Sequence, residues 1–192
     1  ISIAACRRDI ADTYVLSDSF EPLARLWQSI LAEPRSLADR YEAIWHDQHE
    51  DAAAHFFRVR DSFNEDGDPA KLLYLLARCV KNSPRFNQRG EFNQSPDHRR
   101  RGMTPRKMRN EILGVWHLMH DRTRAFGSDF EAALEEAGPE DLVYMDPPWQ
   151  GTTYGVDKRY HAGVGRERIV AALHNLNDRG IPFLLSYDGR CG

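Results

Sequence analysis

The feature that most constrains the fold is the segment 142–149, in which four apolar residues run into an acid, two prolines and a tryptophan. Gly138 and Pro139 supply a turn before it, and the apolar run is too short for a helix, so residues 142–145 are predicted to form a buried strand of an α/β sheet. Asp146 then falls at the carboxyl end of that strand, where open α/β sheets collect ligands. The two prolines keep the backbone extended and offer carbonyl acceptors without N–H donors.

A chain of 192 residues that is 41% hydrophobic can bury one hydrophobic core and has room for an inserted subdomain. The net charge of −3 favours no class of partner by itself. Its distribution is uneven, however, since ten Lys or Arg residues and only two acids lie between Arg78 and Arg109. The sequence therefore predicts one basic segment in an otherwise acidic protein.

The three cysteines, Cys6, Cys79 and Cys191, are widely separated and suggest neither a disulfide framework nor a zinc cluster. Their use fits a reducing, cytoplasmic compartment. No apolar run approaches the length of a membrane span, and the first residues lack the architecture of a signal peptide.

The first predicted strand is Tyr14–Asp18, after a short helical segment within residues 1–9. An acid at the end of such a strand is where nucleotide-binding α/β folds often place a carboxylate for ribose hydroxyls. The alternative for Asp18 is a turn or N-cap residue before the next helix.

Helical spacing then dominates up to residue 119. A helix from Glu21 is stopped by Pro34, further helical patterns cover residues 36–63, and Asp68 with Pro69 opens another helix. Residues 108–119 return to helix, and Ser128 or Asp129 is predicted to cap a helix through residue 134. His46 and His49 have the spacing of metal ligands, but a solvated helix face is the favoured interpretation.

The hydrophobic pattern of residues 169–188 predicts a crossover unit. Residues 169–176 form a helix closed by Gly180, and residues 181–187 form a strand ending at Asp188, so the strands on either side of the helix should be parallel neighbours. Residues 151–165 are rich in Gly, Thr and Tyr without a period, which predicts a mobile loop that orders over a ligand.

Residues 81–104 combine basic side chains with Asn, Gln and aromatic residues and include the triplet Arg99-Arg100-Arg101. Guanidinium groups match phosphates and guanine, while carboxamides pair with adenine. Nucleic-acid contact is therefore the favoured interpretation, and a solvated charged loop is the alternative.

The chemistry at Asp146 suits an exocyclic amine such as adenine N6. A carboxylate and the Pro147 carbonyl, accepting both N–H hydrogens, would free the nitrogen lone pair to attack an electrophilic methyl group. Trp149 would stack on a base removed from the duplex.

These residues resemble the Dam-like alpha group of N6-adenine DNA methyltransferases, which use S-adenosylmethionine. The resemblance rests on Asp146-Pro147-Pro148-Trp149 and its strand, on the sequence Arg-Gly-Glu-Phe-Asn at 89–93, and on three further elements in the family's order. Those elements are the second cofactor strand at 14–18, the adenine-contacting turn at 128–130 and the strand at 184–188.

The resemblance implies roles for particular residues. Asp18 would bind the ribose of the methyl donor, Asp129 and Phe130 its adenine, and Asp146 would serve both donor and target. Pro147, Pro148 and Trp149 would position the target base, and Tyr154 and Tyr160 are candidate substrate-loop residues. The side that faces double-stranded DNA would comprise Arg85, Arg89, Asn93, Arg99, Arg100, Arg101, Arg106 and Lys107.

The implied fold is a partial Rossmann-like, S-adenosylmethionine-dependent methyltransferase domain, formed by residues 1–34 and 120–192. Residues 35–119 would be an inserted, mainly helical target-recognition subdomain. The family's Phe-x-Gly-x-Gly cofactor loop is expected immediately before Ile1, so the chain is interpreted as a central fragment whose donor site is completed by a missing segment or a second chain.

Three alternatives stay open. A catalytically silent DNA-binding segment would keep the basic residues without the donor loop. Cytosine-N4 or RNA methylation is chemically close, and the family's usual Tyr in place of Trp149 blurs the choice between adenine N6 and cytosine N4. A C5-cytosine mechanism is disfavoured, because it needs a cysteine nucleophile and no cysteine here follows a proline at a strand end.

Overall fold

The computed structural model describes residues 1–148 and 163–186, which form eight α-helices, four β-strands and one short 3-10 helix. In chain order these are α1 (Ser2–Arg7), β1 (Tyr14–Asp18), α2 (Glu21–Ala32), α3 (Pro34–His46), α4 (Ala52–Asp66), α5 (Pro69–Arg78), the 3-10 helix (Val80–Asn82), α6 (Pro105–Met119), β2 (Thr123–Gly127), α7 (Phe130–Glu135), β3 (Val143–Met145), α8 (Arg166–Asp178) and β4 (Phe183–Leu185).

The strands form two parallel pairs. In β1–β2, Asp18 lies opposite Gly127, and in β3–β4, Met145 lies opposite Leu185. Parallel neighbours need a crossover connection, which α8 provides between β3 and β4. The predicted crossover unit is therefore confirmed, as is the mixed α/β class, while the complete Rossmann-like sheet stays a prediction.

Two predicted helix caps are confirmed. The Asp68 carboxylate accepts hydrogen bonds from the backbone N–H groups of Ala70 and Lys71 at the start of α5. The Asp129 carboxylate accepts one from Glu131 at the start of α7. The helix predicted from residue 108 begins earlier, at Pro105, because proline has the backbone φ of a first helical turn and lacks an N–H that would go unpaired there.

Helices α2 to α6 enclose the main hydrophobic core. Its members with almost no exposed surface include Leu37, Tyr41, Phe56 and Tyr74. The segment between α5 and α6, residues 79–104, adds Phe86 and Phe92 to the same cluster. Helix α2 packs on β2 as well as on α3, α5 and α6. This helix therefore connects the first strand pair to the helical core.

The strand expected at 142–145 is shorter and less buried than the sequence predicts. Leu142 lies outside β3 and is 56% exposed, and the side chain of Tyr144 also points outward. Val143 and Met145 pack against the cluster of α7 and α8, so this strand alternates between a covered and an exposed face instead of being buried on both.

The end of α8 follows the prediction. Gly180 adopts a left-handed conformation (φ 67°), which glycine tolerates best, and the Ile181 N–H donates to the Leu176 carbonyl. Strand β4 ends at Leu185; Tyr187 and Asp188, at the predicted strand end, lie outside the described residues. Among the helices that the structure describes, none combines the length and the hydropathy needed to cross a bilayer.

Candidate functional site

The carboxyl end of the β1–β2 pair brings together two of the segments that the sequence singled out. The backbone N–H of Ser128 donates to the Asp18 carbonyl at 3.1 Å. The Asp18 carboxylate accepts a hydrogen bond from the Phe20 N–H at 2.8 Å. Asp18 is thus a turn residue leading into α2, as its alternative interpretation states, and it also lies beside the predicted adenine-contacting turn.

Asp129 is held by a residue that sequence reasoning missed. Arg168, in the first turn of α8, donates to the Asp129 carboxylate at 2.7 Å and to Glu131 at 2.9 Å. The hydrogen bond from Arg168, together with the Glu131 N–H, keeps the pKa of Asp129 below its ordinary value. The Arg168 guanidinium also lies 5.0 Å from the centre of the Phe130 ring. No sequence pattern links residues so far apart.

Helix α7 connects the two strand pairs. It packs against β1 and against α8. Leu134 on α7 lies in one hydrophobic cluster with Ala172 and Leu176 of α8, and Val143, Met145 and Phe183 of the second pair pack against this cluster. The predicted donor-contacting turn and the strand that carries Asp146 are therefore supported by the same helices.

Asp146 follows β3 directly, as predicted, and its side chain is exposed. Its carboxylate makes no hydrogen bond or ion pair with the residues that the structure describes. Beside it, the Ser186 N–H donates to the Met145 carbonyl at 2.9 Å, which fixes the ends of β3 and β4 side by side. Pro147 and Pro148 are half-buried, while Trp149, Tyr154 and Tyr160 lie outside the described residues.

Gly127, at the end of β2, lies very close to the Glu21 side chain of α2. A Cβ at Gly127 would overlap the Glu21 carboxylate, so this position excludes any larger residue while Glu21 stays in place. A Gly-x-Gly, the pattern of the glycine-rich cofactor loop, occurs in the chain at Gly163 and Gly165. Gly165 has an ordinary φ of −65°, and none of the described residues lies within 4 Å of where a Cβ would be, so these residues give no sign of the close backbone approach that a cofactor loop needs.

The Arg-Gly-Glu-Phe-Asn sequence forms one side of a tight hairpin, residues 85–93. Phe86 and Phe92 pair as an antiparallel bridge, with buried rings 6.0 Å apart. The Asn87 side chain accepts from the N–H groups of Arg89 and Glu91 and donates to the Glu91 carboxylate at 2.6 Å. Arg89 lies at the tip with 81% of its side chain exposed. The hairpin therefore presents a cation on a base fixed by aromatic packing.

Asn64 of α4 fixes the same hairpin to the helical core and was also missed from sequence. Its amide accepts from the Phe92 N–H at 2.8 Å and donates to the Phe92 carbonyl at 3.1 Å. An asparagine inside a helical pattern gives no sequence signal of such a contact.

Most of the predicted DNA-facing residues lie on the surface. Arg99 and Arg100 have 91% and 62% of their side chains exposed, and Arg85 alone of the predicted set is half-buried. Exposed positions are also found for Asn93, Arg101, Arg106 and Lys107. Two other cations of the basic segment serve the fold: Arg78 is buried, and Arg109 pairs with Asp39 and Glu42.

Asp97 is the one buried acid of the basic segment. It accepts from the Arg99 backbone N–H and from Arg100 Nε, both at 2.9 Å, and these contacts keep the pKa of Asp97 below its ordinary value. Asp97 thus orders the arginine triplet without neutralising all of it.

His46 and His49 stack on each other, with ring nitrogens 3.4 Å apart. They border an open cleft of about 590 Å³ that His55, Arg58 and Lys71 also line. Within residues 1–148 and 163–186, no group of three or more His, Cys, Asp or Glu side chains is arranged to hold a metal ion. Both histidines are exposed, as the favoured interpretation states, but only His46 belongs to a helix, because α3 ends there and His49 lies in the following turn.

Comparison with known proteins finds relatives that are named as methyltransferases. The phage P1 protein "DNA N-6-adenine-methyltransferase" is 25% identical over 188 residues, which are 91% of this chain and 24% of the phage protein. "DNA adenine methylase" of Serratia marcescens is 24% identical over 72% of this chain and 51% of its own length. "Type II methyltransferase M1.LlaDCHI" of Lactococcus lactis is 23% identical over 90% of this chain and 64% of its own length.

The chain thus spans between about a quarter and two thirds of the length of these relatives. Their shared names agree with the resemblance carried by the strand that ends at Asp146 and by the hairpin that presents Arg89. A family model described as "D12 class N6 adenine-specific DNA methyltransferase" matches residues 2–190. The match covers nearly all of the chain, which therefore belongs to the D12 class of N6 adenine-specific DNA methyltransferases.

Proposed function

We propose that this protein transfers a methyl group from S-adenosylmethionine to adenine N6 in double-stranded DNA, with Asp146 as the acid that contacts the target amine. The observation that carries the proposal is the position of Asp146 in a chain of this family: it follows a parallel strand, is exposed, and has a carboxylate without a partner among the described residues. A carboxylate that none of the described residues occupies is available to accept hydrogens from a ligand.

The chemistry follows from the poor nucleophilicity of an exocyclic amine. Asp146 and the Pro147 carbonyl would accept the two N–H hydrogens, so that the nitrogen lone pair becomes available. The methyl carbon would leave the donor sulfur as it bonds to the nitrogen, and Asp146 would take the proton that the amine then loses, directly or through water. Trp149 would stack on the extruded base.

The donor side is supported by the β1–β2 edge. Asp18 and Asp129 provide acids and Phe130 a ring at one strand end, which are groups suited to ribose hydroxyls and a purine. Since both acids already accept backbone N–H bonds, they are fixed in place before any ligand arrives. S-adenosylmethionine would supply the electrophilic methyl group.

The DNA side would consist of the hairpin tip at Arg89 and the arginine triplet, with Asn93, Arg85, Arg106 and Lys107 beside them. Exposed guanidinium groups on ordered backbone suit phosphate contacts, and a carboxamide suits adenine. The half-buried Arg85 is the weakest member of this set.

The test is methyl transfer by the full-length protein from labelled donor to DNA, comparing wild type with Asp146→Ala. Removing a group that acts on the reacting amine should lower the rate about 10²- to 10⁴-fold. The melting temperature should stay unchanged, because the Asp146 side chain is exposed and unbonded in the described structure. Glu140→Ala, an exposed acid nearby, is the matched control and should retain wild-type activity.

Undiminished transfer by Asp146→Ala would refute the role of Asp146. DNA binding by wild type without any transfer would instead support the catalytically silent alternative. Mass spectrometry of the modified nucleoside separates N6-methyladenine from N4-methylcytosine, and N4-methylcytosine as the only product would overturn the assigned substrate.

A further inference from the structure

The loop formed by residues 97–103, here called the basic loop, is held to the helices through its backbone carbonyls. Trp45 Nε1 and Gln48 Nε2 donate to the Arg101 carbonyl at 3.0 and 3.3 Å, and Tyr41 Oη donates to the Met103 carbonyl at 2.6 Å. The carbonyls therefore face the helical core, while the side chains of the arginine triplet face solvent.

The other end of the basic loop is held by Arg78. This arginine is 3% exposed and donates to the Asp97 carbonyl and, through Nε, to the Gln48 Oε1 atom at 3.3 Å. Among the described residues no carboxylate lies within 4 Å of its guanidinium. Burying a charge without an opposite charge is costly, and apolar packing would serve stability as well or better. A geometric role explains why such a group is buried here.

Gln48 connects the two ends of the basic loop. It lies between α3 and α4, is fully buried, accepts from Arg78 and from Tyr74 Oη at 3.4 Å, and donates to Arg101. One neutral side chain thus links the helix that carries Arg78 to the backbone of the arginine triplet. Since both ends of its amide are engaged, its orientation is fixed.

We propose that Gln48, together with Trp45 and Arg78, positions the basic loop so that Arg99 and Arg100 point at DNA phosphates before DNA arrives. Gln48 is a positioning residue and does not touch DNA itself. The inference rests on the proposed function, because it assumes that the basic loop contacts DNA. A loop ordered in advance loses less conformational freedom on binding, which improves affinity.

The test is the salt dependence of DNA binding by the full-length protein, measured by fluorescence anisotropy with a duplex. For B-DNA, each phosphate contact contributes about 0.9 to the slope of log K against log salt concentration. The double substitution Arg99→Ala with Arg100→Ala removes two charges and should lower the slope by about 1.8. Gln48→Met removes no charge, yet by releasing the loop it should lower the slope by about 0.9 or more.

Trp45→Phe is a second variant that removes the indole donor to the Arg101 carbonyl while keeping an aromatic ring, and it should lower the slope in the same direction. Ile112→Val, a conservative change in the buried core on α6, should leave the slope unchanged. Adding Gln48→Met to the double arginine substitution should lower the slope by less than Gln48→Met does in the wild-type protein, because two of the contacts that it controls are already gone.

The outcomes separate the two proposals. If the arginine substitutions lower the slope and both Gln48→Met and Trp45→Phe leave it unchanged, the positioning role is wrong while DNA contact by the basic loop stands. If the arginine substitutions leave the slope unchanged, Arg99 and Arg100 do not contact phosphates, and both their DNA-facing role and the positioning role are wrong. Should Gln48→Met fail to fold, the slope measured for Trp45→Phe decides.

Discussion

The helical region and the second strand pair differ in how much core supports them. Among the described residues, sixteen buried hydrophobic side chains form the cluster of α2 to α6 and the segment between α5 and α6, whereas four form the cluster beneath β3 and β4. The strands also leave apolar side chains on the surface: Val15, Tyr144 and Leu184. The proposed DNA-contacting loops are thus supported by the larger hydrophobic core, and the strand that leads to the proposed catalytic acid by the smaller one.

The DNA-contacting loops and the end of β3 are also held in position by different kinds of contact. The hairpin tip and the basic loop are fixed by packed rings and by side chains that bond to backbone carbonyls. The end of β3 is fixed by pairing with β4 and by the Ser186 N–H bond. Substitutions in the two cores should therefore separate DNA binding from methyl transfer.

The largest expected effect is that of Phe56→Ala in the helical core. Phe56 has no exposed surface, so its removal should lower the free energy of unfolding by about 3–5 kcal/mol and abolish DNA binding. Phe57→Ala is the matched control, because the neighbouring ring is 37% exposed, and it should cost less than about 1 kcal/mol. Chemical denaturation measures both. Equal losses would contradict the assignment of this face of α4 to the core.

Leu176→Ala tests the thinner cluster. Leu176 is fully buried on α8 in a cluster of only four buried side chains bordered by half-buried ones, so the loss should fall near the low end of about 2–5 kcal/mol. Methyl transfer should decline more steeply than DNA binding, and parallel assays of both would show the difference. Val170→Ala, on the exposed side of α8, serves as the control. A larger loss of DNA binding than of transfer would contradict the division of labour between the regions.

A smaller effect is expected from Asp68→Ala at the start of α5. Loss of the N-cap and of the ion pair with Arg40 should cost about 1–2 kcal/mol. Asp51→Ala removes the cap of α4, which makes two backbone hydrogen bonds and has no arginine partner among the described residues, and it should cost about 0.5–1 kcal/mol. Thermal unfolding measures both, and a larger loss for Asp51→Ala would show that the Arg40 pair contributes nothing.

The smallest expected effect is a change in pH dependence. Burial lowers the pKa of His55 below its ordinary value. Between that lowered pKa and the unfolded value of about 6.5, the unfolded chain binds more protons. The contribution of His55 to stability is therefore fully present above about pH 6.5 and is lost as the pH falls toward the folded-state pKa.

His55→Phe should flatten this acid-side slope of stability against pH, since the ring that faces Tyr74 is kept and the titrating group is removed. Denaturation curves between pH 5 and 8 provide the measurement. His174→Phe, on the exposed surface of α8, controls for the loss of a histidine and should keep the wild-type slope. An unchanged slope in His55→Phe would contradict the proposed cause.

Local signals predicted much of the fold. The cap at Asp68, the strand at Tyr14–Asp18, the glycine that ends α8 and the parallel pairing of β3 with β4 all depend on neighbours within a few residues or on the handedness of a single crossover. The burial of residues 142–145 was overestimated, because an apolar run does not show how many faces of a strand other elements will cover.

For the candidate site, the sequence determined which groups are available: an acid after a strand at Asp146, acids at Asp18 and Asp129, and a cluster of arginines. Only the tertiary structure decided which of them are already engaged. Arg168 binds Asp129, and Gln48 and Arg78 hold the basic loop, through contacts between residues 19 to 53 positions apart. Side-chain hydrogen bonds depend on distances of about 3 Å that chain folding sets, so no spacing along the sequence encodes them.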